Sequence, residues 1–139
     1  MSKTISIRTG RHVVFSLHAH LVFVTKYRKN VFNKQLLDYL KFIFTDIFNG
    51  FEVQLIDFEG EQDHVHLLIN YPPKLSLSKL VNSLKGVSSR LLRANFKQHI
   101  SQYYWKGVFW SPSYFVSSCG GAPIHLVKQY IQNQRRPCS

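Results

Sequence analysis

Acidic side chains are scarce in this sequence of 139 residues. Seven Asp and Glu stand against eighteen Lys and Arg, a formal charge of +11. The shortage is also segregated: residues 1–37 hold seven bases and no acid, residues 64–139 hold ten bases and no acid, and all seven acids fall between Asp38 and Asp63. Cysteine is scarcer still. Cys119 and Cys138 lack CxxC spacing, which excludes a disulfide framework and a cysteine-rich zinc module and fits a reducing, cytoplasmic compartment. Long apolar runs are missing, since stretches such as Leu21 to Val24 are far too short to span a bilayer. The start, Met1 to Ile5, has no hydrophobic signal region. Internal repeats, low-complexity tracts and interdomain linkers are absent too, so residues 1–139 read as one domain.

What is present is a globular composition, 45% apolar and 18% charged, with enough chain for one hydrophobic core. A stretch of 76 residues without an acid makes a one-sign surface hard to avoid. Such a surface attracts a polyanion, and nucleic acid leads. Membrane phosphate is the weaker choice, because no basic amphipathic helix with an isolated apolar face stands out.

The hydrophobic pattern predicts the order β-α-β-β-α-β-α. Residues 1–11 are polar, basic and expected to be loose. Residues 12–25 alternate, with Ala19, Leu21 and Phe23 on one face and His18, His20 and Val22 on the other, which predicts one long strand. From Asn33 to Gly50, Leu36, Leu40, Ile43, Phe44 and Ile47 recur at helical spacing. Strands follow at Phe51–Phe58 and at His64–Tyr71, the latter stopped by Pro72-Pro73. Ser76 caps a second helix with a Leu-rich stripe. Residues 98–107 look irregular, Phe109 to Ser118 reads as a fourth strand, and a last helix spans about 122–135 after Gly120-Gly121. The first six elements form the split-βαβ, ferredoxin-like α+β pattern: one antiparallel sheet with two helices on one face and the other face open to a ligand.

The chemistry-bearing residues are few. On a strand, His64 and His66 share a face while Val65 points to the core, and paired imidazoles on a rigid strand can bind one divalent metal. The bland alternative is two polar residues on a solvated face. His18-Ala19-His20 has the same spacing without further support and reads as sheet-face polarity. Tyr130 and Gln134 are four apart on the last helix, so a phenol sits beside an amide oxygen able to ligate a metal. Ordinary packing and solvation are the competing readings. Basic residues around Tyr27 (Lys26, Arg28, Lys29) and on the second helix (Lys85, Arg90, Arg93) suit phosphate contact as sets, although any single one suits a solvated surface. Trp105, Phe109 and Trp110 suit base stacking or core packing equally.

Asp63-His64-Val65-His66-Leu67-Leu68 resembles the HUH motif of the single-tyrosine transposases of small bacterial insertion sequences. Cys119-Gly120-Gly121-Ala122-Pro123, followed by Val127 to Gln134, resembles that family's tyrosine helix; Lys26 to Lys29 and Lys85 to Arg90 resemble two further segments. The resemblance covers residues 12 to 135. It implies an HUH endonuclease fold and a transposase that recognises hairpins in single-stranded DNA. It implies that His64, His66 and Gln134 hold Mg²⁺ or Mn²⁺, and that Tyr130 attacks the scissile phosphate to give a 5′-phosphotyrosine and a 3′ hydroxyl that later rejoins. It also implies a homodimer with active sites shared in trans, in a protein that joins the nucleoid when bound to DNA. Two rivals stay open: a domesticated relative acting on chromosomal repeat hairpins, and a non-enzymatic ferredoxin-like RNA-binding module. Metal-dependent cleavage of single-stranded DNA separates the second from the transposase.

Overall fold

The computed structural model describes residues 7–118 and 124–134, with only the backbone of residues 124–127. Two short strands, β1 (Arg8–Thr9) and β2 (Val14–Phe15), pair as a small hairpin. Then come β3 (His18–Val24), α1 (Lys34–Gly50), β4 (Gln54–Gly60), β5 (His64–Asn70), α2 (Leu77–Asn95), the single turn α3 (Lys97–Ile100), β6 (Phe115–Ser118) and α4 (Ile124–Gln132). The main sheet has the order β4-β5-β3-β6, antiparallel throughout. That is the ferredoxin-like order expected from the pattern, with β3 and β5 in the centre.

Local chemistry sets the helix starts. Asn33 accepts from the Leu36 N–H and Ser76 from the Lys79 N–H, so each side chain satisfies an amide that the helix cannot. Along α1, Leu36, Leu40, Phe44 and Phe48 are buried; along α2, Leu80, Leu84 and Leu92 are. They close over Ala19, Leu21 and Phe23 of β3 and Val65, Leu67 and Ile69 of β5 to make one core. Each such side chain, fully buried, contributes about 1.5–3 kcal/mol.

Several boundaries differ from expectation; the strand expected at Phe51–Phe58, for one, runs from Gln54 to Gly60. The long strand predicted over 12–25 is divided. Residues 14–15 turn back onto Arg8–Thr9, closed by Gly10 N–H donating to Val13 O, and the central strand begins only at His18. Residue Arg8, expected in a loose tail, is therefore ordered; its guanidinium donates to the Asn70 carbonyl and side chain and lies 5.0 Å over the Phe15 ring. The strand expected from Phe109 is shortened to Phe115–Ser118, because Pro112 has no N–H to give a ladder. Trp110 keeps an isolated bridge to Thr25. The stretch 98–107 holds the helical turn α3 before becoming irregular. Gly120, Gly121 and Pro123 lie outside the described residues.

Candidate active site

The sheet has two chemically different faces. Residues that pair across an antiparallel ladder share a face, so the register defines the open one. His64 faces Val24, His66 faces Val22, and Val22 faces Phe115 on its other side. Val22 and Val24 belong to a second apolar cluster that Ile131 completes, with Phe115 and Tyr130 packed against it. The last helix therefore lies on the same face as the two histidines, opposite α1 and α2. Across that face Phe115, Val22 and His66 form one row over three strands. The Tyr130 ring stands 5.5 Å from the Phe115 ring. Two strand spacings, about 9–10 Å, separate the Phe115 and His66 backbones.

The imidazoles of His64 and His66 are neighbours, their ring centroids 4.9 Å apart and tilted by 71°. His64 Nδ1 lies 2.8 Å from Asp63 Oδ1, and Arg28 Nε donates to Asp63 Oδ2 at 3.2 Å. Burial, then the neighbouring rings of His64 and His20, hold the His66 imidazole below its ordinary range, while Glu61 and Asp57 pull weakly the other way. A neutral imidazole keeps a lone pair for a cation. His18 and His20 lie on this same face, His18 buried and meeting the Asn70 amide at 3.2 Å, His20 half-buried beside the His66 row.

The tyrosine helix is seated by serines. Tyr130 Oη and Ser113 Oγ are 2.9 Å apart; Gln134 Oε1 accepts from Ser111 Oγ at 2.8 Å and from Ser113 Oγ at 3.4 Å. Burial pushes the Tyr130 phenol up from its ordinary value, and the Ser113 hydrogen bond opposes this. The serine segment is fixed in turn. Ser111 N–H donates to Val24 O, and Lys85 Nζ donates to the carbonyls of Ser111 and Ser113 at 2.6 and 3.1 Å. Burial depresses the Lys85 ammonium.

The cations expected on DNA divide. Arg28, Lys29 and Lys85 point at protein acceptors: Asp63, the Tyr103 carbonyl at 3.1 Å, and the serine loop. Arg93 donates to Ser89 Oγ at 3.2 Å, Arg90 is exposed, and Lys26 is half-buried with its ammonium 5.6 Å over the Tyr27 ring. Lys26 and Lys85 also line a cavity of about 380 Å³ between α2 and residues 107–112. Of the aromatic candidates, Phe109 and Trp110 are core and Trp105 is 82% exposed. Sequence reasoning gave no role to Ser111, Ser113 or the side chain of Asp63. Only the last had a signal, its place directly before the His pair.

Among the described residues no group of three or more His, Cys, Asp or Glu is arranged to hold a metal ion. No described helix is long and apolar enough to cross a membrane.

An antiparallel ferredoxin-like sheet with His-x-His on a central strand and a tyrosine helix on the same face has the architecture of an HUH endonuclease. Residues 13–134 match the family described as "Transposase IS200 like". The sequence is 34% identical over 132 residues to the ISDra2 transposase TnpA of Deinococcus radiodurans, covering 94% of this chain and 92% of that one. It is 29% identical over 123 residues to the transposase for insertion sequence element IS200 of Salmonella typhimurium, covering 88% and 80%. A crystal structure of a candidate transposase from D. radiodurans superposes with a TM-score of 0.81 at 35% identity, over 94% of this chain and 99% of that one. The REP-associated tyrosine transposase bound to a REP hairpin shares the fold alone, with a TM-score of 0.52 at 11% identity over 91% and 69% of the two chains. This protein belongs to the IS200-like transposases, and it is by that membership a DNA-cutting and strand-transferring enzyme.

Proposed function

We propose that this transposase cuts and rejoins single-stranded DNA at the hairpin-bearing ends of its insertion sequence, through a 5′-phosphate bond to Tyr130. One observation carries the reading: the histidine pair and the tyrosine lie on the one sheet face that α1 and α2 leave uncovered, with Gln134 one helical turn after the tyrosine. The charge of +11 and the REP hairpin bound by the fold neighbour support hairpin DNA as the partner.

The residues suit a divalent cation by donor chemistry, two imidazoles and an amide oxygen. His64, His66 and Gln134 would hold Mg²⁺ or Mn²⁺, which when bound would neutralise charge developing on the scissile phosphate. The rest is chemistry of the chain. Tyr130 is held neutral at rest, since burial raises its pKa. To react, the phenol must leave Ser113, lose its proton and approach the phosphorus in line, opposite the departing 3′ oxygen. One phosphodiester replaces another, so the bond energy is retained and the return attack by a 3′ hydroxyl needs no ATP. Two DNA ends must be joined together, which supports a homodimer exchanging tyrosine helices.

The test is adduct mapping. Single-stranded DNA from the gene's flanks, incubated with protein and Mg²⁺, is expected to yield a covalent adduct on the peptide containing Tyr130. Tyr130→Phe should bind the same DNA and give none. An adduct on Tyr114 or another tyrosine refutes the assignment.

A further inference from the structure

Of the four residues from Lys26 to Lys29, Arg28 and Lys29 turn to protein acceptors, and Arg28 reaches the residue before the histidine pair. We infer that Arg28 and Asp63 are positioning residues for His64: they fix its ring with the proton on Nδ1, so that the Nε2 lone pair points out from the sheet face. The inference rests on the reading of His64 as a cation ligand.

The geometry is a relay of three side chains. Asp63 uses one oxygen for each partner, Oδ2 for Arg28 Nε at 3.2 Å and Oδ1 for His64 Nδ1 at 2.8 Å. Their side chains are only 20%, 10% and 13% exposed for Arg28, Asp63 and His64. A carboxylate so far removed from water is strongly disfavoured unless paired, and the guanidinium supplies that pairing. The carboxylate in turn accepts the imidazole N–H and selects the tautomer. Ligating histidines elsewhere are oriented in this way, and loss of the acceptor weakens metal binding by about 10–100-fold.

The backbone is bent to make the relay. Tyr27 and Arg28 both have left-handed φ, 59° and 54°, although neither is glycine. Each such residue costs on the order of 1–3 kcal/mol and persists only where its surroundings demand it. Here they do. Lys26 N–H donates to Phe109 O, Tyr104 Oη donates to Lys26 O at 2.6 Å, and Arg28 N–H donates to Thr25 O. At the other end, Thr25 N–H and Oγ1 both donate to the Asp63 carbonyl. The turn before the first helix is thereby locked to the residue before the histidine pair, and the Arg28 side chain is aimed at it. A turn built only to display cations to DNA has no need of a buried guanidinium.

The test uses the full chain. In ¹⁵N-labelled, metal-free protein, long-range ¹H–¹⁵N correlation is expected to show His64 as the Nδ1–H tautomer. Asp63→Asn keeps the volume, but with Arg28 still claiming an oxygen it presents an N–H₂ to His64. The ring should then switch to Nε2–H. Mn²⁺ affinity, read by electron paramagnetic resonance of the unbound ion, should fall by about 10–100-fold. Hairpin binding in EDTA should stay unchanged. Arg28→Gln should weaken Mn²⁺ binding, with partial recovery in Arg28→Lys, and this pair decides the matter if Asp63→Asn fails to fold. An Nε2–H tautomer in the unsubstituted protein, or equal Mn²⁺ affinity in all variants, overturns the inference. No Mn²⁺ binding by the unsubstituted protein instead overturns the ligand reading beneath it, and the tautomer still reports whether Asp63 orients the ring.

Discussion

Replacing Ser88 by alanine removes one buried oxygen, and the structure says what that oxygen holds. Ser88 is fully buried on α2, donates to Lys85 O at 3.3 Å, and accepts the Trp110 indole N–H at 2.9 Å. Trp110 is 8% exposed, packed edge-on to Phe23 and Phe109 with centroids 5.8 and 4.9 Å away. In Ser88→Ala the indole N–H keeps its buried place and loses its acceptor, at a cost of about 1–3 kcal/mol. That is roughly a 5- to 150-fold loss in the ratio of folded to unfolded protein, and a fall of roughly 3–5 °C in Tm per kcal/mol for a domain of this size. Urea unfolding should show a lower midpoint at unchanged m. The decisive comparison is a double-mutant cycle. Trp110→Phe removes the donor, so in that background Ser88→Ala should cost much less, and the coupling energy should approach the single-mutant loss. Additivity of the two substitutions within about 0.5 kcal/mol would refute the reasoning. Because Trp110 directly precedes the serine segment that seats Tyr130 and Gln134, the cleavage yield of Ser88→Ala should decline at lower temperature than its global unfolding.

Tyr104, whose phenol burial pushes up to about 12, gives an alkaline signature. Between its unfolded value near 10 and that folded value the native state holds the extra proton, so stability falls as pH rises. The fall is on the order of 3 kcal/mol across that interval, and Tyr104→Phe should show a flatter profile over it in thermal melts. Gly60→Ala would place a Cβ 2.9 Å from Leu37 Cδ1, so it should destabilise by about 1–3 kcal/mol in chemical denaturation, and Leu37→Ala in the same chain should recover part of this. Hairpin binding should weaken with salt at a logarithmic slope of about −0.7 to −0.9 per phosphate contacted, from single strand to duplex stem, and Arg90→Ala should reduce that slope by about one such step; a flat response would count against a backbone contact. Mixing Tyr130→Phe with His64→Ala protein should restore some cleavage if two copies assemble and exchange tyrosine helices, whereas verified mixed dimers without activity would place each site within one chain.

The parts of this molecule that repeat in sequence were readable there. Alternation separated Ala19, Leu21 and Phe23 from the histidines of β3, and helical spacing gave the buried stripes of α1 and α2 with Asn33 and Ser76 as their caps. The His-x-His spacing marked the open face for the same reason: period two is a property of the strand itself. What could not be read were single partners brought together by folding. Arg28 meets Asp63 from 35 residues away, Lys29 meets Tyr103 from 74, and Lys85 meets Ser111 from 26. No periodicity encodes such pairs, and charge alone suggested DNA for all three cations. The shortened β6 and the divided first strand likewise depend on competing pairings, Arg8–Thr9 with Val14–Phe15 and Trp110 with Thr25, which become visible only in three dimensions.

On β5, oil and chemistry are interleaved residue by residue: Val65 and Leu67 anchor in the core while His64 and His66 look outward. The strand thus acts as its own gauge. Sliding it by a single residue against β3 would bury both imidazoles and expose the aliphatics at once, so that slip could not leave a folded protein with a misaligned site. Lengthening or shortening the Gly60–Asp63 turn puts that gauge at risk, whereas the exposed residues 105–107 are held to no such measure. For a transposase, this couples a one-residue misplacement of the histidine face to failure of the fold.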